Sequence, residues 1–157
     1  MNRLFNAAAL YTVLGLAGGL FYRELTHSRD FVGDSQLGLV HTHFLVLGTV
    51  FLLIVLGLEK LFTLSRSKLF GWFEITFHAG LLITGIMMAV RGSMTVVGTP
   101  LTSPAFAGIS GLGHIFLTAA FVLFFLALRK AIRADQSGRA ALATEATPVA
   151  DEQVAKA

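Results

Sequence analysis

The sequence predicts an all-α, four-helix transmembrane bundle, and three observations carry that reading. The chain is 55% hydrophobic and only 13% charged, against about 25% charged residues in soluble domains. Its mean hydropathy is +0.74. Its apolar residues fall into four runs, each near the ~20 residues needed to cross a ~30 Å hydrocarbon core. A length of 157 residues allows one domain. The bundle is expected over residues 1–130, and a cytoplasmic tail over residues 131–157.

The first run, residues 4–22, follows Arg3 and so shares one feature with a signal peptide. No small-residue cleavage site leads to a polar mature start, and three more spans follow, so it is read as a retained helix. The second run, residues 37–58, contains HTHFLVLG at 41–48. The third, residues 69–90, carries Trp72 and Phe73 just inside its start, which fits an aromatic belt at the inner interface. The fourth covers residues 109–128. From Ala131 the chain turns Ala-rich and polar, with no apolar face worth burying. That tail is expected to be disordered, with room for a short helix leaving the membrane.

Charge sets the expected orientation. Arg3, then Lys60, Arg66 and Lys68, then Arg129, Lys130 and Arg133 share one side of the four spans. The other side holds Arg23, Arg29 and Arg91. Lys and Arg favour cytoplasmic loops, which puts both termini in the cytoplasm. The net charge of +3 therefore reads as topology signals, and the expected partner is the lipid bilayer, with no nucleic acid. The absence of cysteine excludes disulfides, thiolate metal sites and cysteine nucleophiles. Metal chemistry is left to His, Met or carboxylates.

Four of the five histidines fall inside spans. At 1.5 Å per residue, His41 and His43 lie roughly 6–9 Å below the outer edge, and His114 roughly 8 Å. His78 lies about 13 Å from the inner edge, near mid-membrane. His27 is in the outer loop. Ionisable residues inside spans generally face the bundle interior and mark functional sites, although a single one often only hydrogen-bonds a neighbouring helix.

Geometry narrows what such a layer holds. Positions i and i+2 on a helix point about 200° apart, so His41 and His43 cannot chelate one metal together. A large planar cofactor suits them better, because haem iron takes one imidazole from each face, on different helices. The glycines of the spans, among them Gly15, Gly18, Gly19, Gly80, Gly85 and Gly113, admit either a flat ring or close helix contacts. Arg23 and Arg91 end helices 1 and 3 on the outer side, where haem propionates would emerge. Glu74 stands four residues before His78, placed to orient its imidazole. Met87, Met88 and Met94 are spaced as core and loop residues.

The segment HTHFLVLGTVF, residues 41–51, resembles the HxH helix of the catalytic subunits of haem–copper oxidases and nitric oxide reductases. There the two histidines of the pair go to different haems. The resemblance would match His41 to the high-spin haem ligand and His43 to the low-spin one. The whole chain also resembles small, uncharacterised four-span bacterial membrane proteins with an HTHFLxLG segment, which implies the bacterial cytoplasmic (inner) membrane. It has far fewer spans than an oxidase subunit. It also lacks the three further histidines and the His–Tyr pattern of a copper site, so oxygen reduction is not implied.

The expectation is thus a b-type haem protein of the membrane, with His41, His43, His78 and His114 as the metal-ligand candidates and one or two haems b. The preferred site lies between helices 2 and 4, with His43 or His41 paired to His114. It would serve electron transfer, or diatomic gas binding if one axial position stays open. No catalytic residue is identified. The other readings are an accessory subunit of a respiratory complex and a small metal-ion transporter. A respiratory redox partner or a homo-oligomer would complete the assembly.

Overall fold

The computed structural model describes residues 2–146. Those residues form four long helices and no strand: α1 Asn2–Ser28, α2 Leu37–Phe62, α3 Lys68–Val96 and α4 Pro104–Ala146. Each is long and apolar enough to cross a membrane. Each also runs past the apolar stretch that marks it in the sequence, because a helix satisfies its own backbone polar groups and need not stop where side chains turn polar. The end with Arg3, Arg66 and Lys130 is called inner below, and the opposite end outer, after the orientation expected from charge.

Short connections make the order up-down-up-down. At the inner end Thr63 takes a left-handed conformation, φ 51°, and closes α2. A 3₁₀ turn, Leu64–Arg66, follows. Ser67 then caps α3, its Oγ accepting from the Leu69 amide at 3.3 Å. The buried Glu59 holds this turn: its carboxylate accepts from the Ser65 amide at 2.8 Å and from the Ser65 hydroxyl. That satisfies a carboxylate which would otherwise be costly to bury.

The helices approach closely wherever glycine removes a side chain. Gly92 of α3 lies against the backbone of Leu37 at the outer end of α2, and Gly85 lies under the Phe44 ring. Gly80 and Gly113 bring α3 and α4 together, with Leu117 N 2.8 Å from where a Gly80 Cβ would sit. Such small-residue contacts drive helix association where lipid offers no hydrophobic gain. The inner half of the bundle is filled by phenylalanines instead. Phe51, Phe73, Phe77, Phe121 and Phe124 meet across α2, α3 and α4 at centroid distances from 5.0 Å upward. Phe73 is completely buried there, so only Trp72, 60% exposed, suits the aromatic belt expected of the pair.

The arrangement is a rhombus. Helices α2 and α3 form its short diagonal, α1 packs on both, and α4 packs on α3 along most of its membrane length. Helix α4 reaches α2 mainly through the inner segment Leu52–Phe62, and it does not reach α1. Above Phe51, then, α2 and α4 both rest on α3, and their backbones do not approach each other closely. The tail continues α4 as an exposed helix to Ala146, with an Asp135–Arg139 ion pair at 3.0 Å. Alanine is the best helix former, and the next proline is Pro148. Residues 147–157, the rest of the expected disordered tail, lie outside the described residues.

Candidate functional site

The first half of α2 is α-helical over Leu37–His43, and Phe44–Phe51 then winds as a π-helix. π-Helical turns are rare and gather at functional sites. Here the looser turn places Thr49 Oγ1 3.4 Å from the Phe44 carbonyl, five residues back, and 2.9 Å from Thr12 Oγ1 on α1. Gly48 lies against the Cβ of Tyr11. The π segment thus forms the seam between α1 and α2, immediately below the two histidines.

His41 and His43 go to different sides, as their spacing requires. The His41 Cβ and Cγ lie 3.6 and 3.7 Å from the Cβ position of Gly19, so this imidazole is laid against α1. Its Nδ1 is buried without a hydrogen-bond partner. His43, about 200° around the helix, points away from α1. Its Nδ1 is 3.0 Å from the Leu39 carbonyl. A carbonyl only accepts, so Nδ1 carries the proton in this contact, and in the neutral imidazole Nε2 then holds the lone pair.

His114 on α4 repeats that arrangement. Its Nδ1 is 3.1 Å from the Ser110 carbonyl, again leaving Nε2 as the acceptor. It lies seven residues before Phe121, on the same stripe of the helix, and Phe121 stacks on Phe51 of α2 at 5.0 Å. His114 is therefore on the side of α4 that turns to α2, in the outer half where the two helices have parted, and it is exposed there. Depth can be read from contacts with α3. Leu37 opposes Gly92 and Phe44 opposes Gly85, so His43 is level with Ile86. Gly113 opposes Thr84 and Leu117 opposes Gly80, so His114 is level with Ile83. The difference is roughly 4.5 Å at 1.5 Å per residue. The two histidines stand on either side of the gap between the α2 and α4 backbones over α3, at similar depth.

His78 belongs elsewhere. Its Nδ1 is 2.9 Å from the Tyr11 hydroxyl, and the two rings stack at 5.6 Å. Tyr11 also stacks on Phe44 at 5.7 Å and is 3% exposed. Thus Tyr11, not Glu74, takes the His78 nitrogen. The side chains of Tyr11, Thr12 and Thr49 build this node, and sequence reasoning passed over all three. A tyrosine mid-way along an apolar span, next to a threonine, was the available signal. Replacing Tyr11 by Phe should lower stability in detergent by about 1 kcal/mol, read from reversible unfolding.

The arginines separate. Arg91 stands seven residues beyond Thr84, on the same stripe of α3. It is half-buried and borders a cavity of about 410 Å³ with Asp34, Ser35 and Thr95. That cavity lies at the outer ends of α2 and α3. Arg23 is exposed on α1 beside His27 and Asp30, in a separate hollow. No group of three or more His, Asp or Glu placed to hold a metal ion occurs among the described residues.

A family model described as a protein of unknown function, DUF2871, matches residues 1–131. The chain belongs to the DUF2871 family. The match spans the membrane part of all four helices, so the family is defined by the bundle that carries the histidines. No curated protein and no solved structure matches the chain. The comparisons lend no support to the likeness of residues 41–51 to haem–copper oxidases.

Proposed function

We propose that this DUF2871 protein is a b-type haem protein of the membrane, with haem held in the cleft between α2 and α4 by His43 and His114. The observation that supports it best is the shared state of those two side chains. Each donates Nδ1–H to its own helix and offers a bare Nε2 at nearly one depth. That is how ligating imidazoles are held, the second nitrogen fixing tautomer and ring plane. The α2 and α4 backbones stay apart at that depth, as a ring between them would require, and Arg91 at the outer end of α3 suits a propionate.

Held by His43 and His114, haem would supply one-electron transfer chemistry. The chain's own part is to orient the two imidazoles and to exclude water with apolar walls. Electrons would pass to and from a respiratory redox partner in the same bilayer. His41 and His78 serve the helix contacts in this reading, which leaves one haem rather than two. If His43 and His114 served only helix contacts as well, the protein would be an accessory subunit without a chromophore.

The deciding measurement is the absorption spectrum, oxidised and reduced, of protein expressed with ample haem supply and purified in detergent. A Soret band with sharp low-spin bands on reduction is expected, at one haem per chain. A colourless protein, still folded, would overturn the proposal.

A further inference from the structure

A separate cavity lies at the inner end, away from every histidine. The turn at residues 63–67 and the facing stretch of α4 enclose a cavity of about 310 Å³. Its charged lining is Arg66, Lys130 and Asp135, with the hydroxyl residues Thr63 and Ser67 between them. Asp135 is held by Arg139 at 3.0 Å, which offsets its charge. The two cations have no such partner among the described residues.

The turn that presents Arg66 is rigid for a stated reason. Glu59 holds Ser65 at both its amide and its hydroxyl, so this nearby carboxylate is already satisfied. The Ser67 cap begins α3 at the same place, adding the positive end of a long helix. On its membrane side the cavity is lined by Leu61, 72% exposed, and Phe62. A polar hollow with two free cations and an apolar sill, at the level where α2 and α4 leave the apolar region, has the make-up of a headgroup site.

We infer that the cavity between the 63–67 turn and α4 binds a phosphate group through Arg66 and Lys130. Either of two sources supplies that chemistry: the headgroup of an acidic phospholipid, or a soluble phosphate. The site is independent of the haem reading.

The test uses the full chain in detergent and native mass spectrometry after mixing with phosphatidylglycerol or phosphatidylcholine. Wild-type protein should retain phosphatidylglycerol over phosphatidylcholine. The exposed pair R66Q/K130Q should lose that retention by roughly thirtyfold, each basic residue contributing about fivefold. K60Q/K68Q, at the same end but outside the cavity, should not. Retention unchanged by millimolar inorganic phosphate supports the lipid as source. Displacement by inorganic phosphate, lost in R66Q/K130Q, supports the site with a soluble source. Equal retention by wild type and R66Q/K130Q, or equal loss in K60Q/K68Q, overturns the inference. Matching thermal unfolding of the variants confirms that the comparison is between folded proteins.

Discussion

Replacing His43 or His114 by alanine should convert a low-spin haem spectrum into a high-spin one, because each change removes one imidazole from one side of the cleft. Each single variant should also gain carbon monoxide binding that the parent protein lacks. The double variant should lose haem by about tenfold or more, since even outer-shell changes at metal sites cost 10–100-fold. His41→Ala is the control. Its ring lies against Gly19 on α1, so it should keep the parental spectrum. The outcome that sinks the assignment is full low-spin haem in the His43→Ala, His114→Ala double variant. Loss of haem on changing His41 alone would move the site to the α1 side of α2.

The largest stability effect is expected at Gly92. A methyl group there would fall on the backbone nitrogen and Cα of Leu37, neither of which can turn aside. Gly92→Ala must therefore push the outer ends of α2 and α3 apart, breaking the hydrogen bond from Ser35 Oγ to the Gly92 carbonyl at 2.9 Å. A loss of about 3 kcal/mol is expected, at the upper end of the overpacking range, measured by unfolding in mixed micelles. Gly57→Ala is the comparison, because nothing lies within 4 Å of its Cβ position. Equal stability of the two variants would show that the close approach at Gly92 contributes nothing.

Much of this was legible in the residues. Four spans followed from apolar length alone, since hydrocarbon thickness fixes it. The opposed directions of His41 and His43 followed from i, i+2 spacing. Which neighbour each would meet did not, because α2 touches α1, α3 and α4 at different heights and a single helix pattern carries no record of that. The tyrosine partner of His78 was hidden for a similar reason. Glu74 was near in sequence, while Tyr11 is 67 positions away and looked like one more apolar residue. Nor does FLVLGTVF announce a π-helix; its composition suits an α-helix equally well.

That π segment sets a phase between the two halves of α2. A π turn takes more residues than an α turn, so eight residues wound this way leave the inner half rotated relative to the histidines above. Phe51 can then face the phenylalanine cluster while His41 rests on Gly19. The chain length between residues 44 and 51 thereby acts as a dial. Were the same eight residues wound as an ordinary α-helix, the histidine layer would turn by roughly one residue's 100° against the aromatic core. Every histidine would still be present, and the layer would face the wrong side chains.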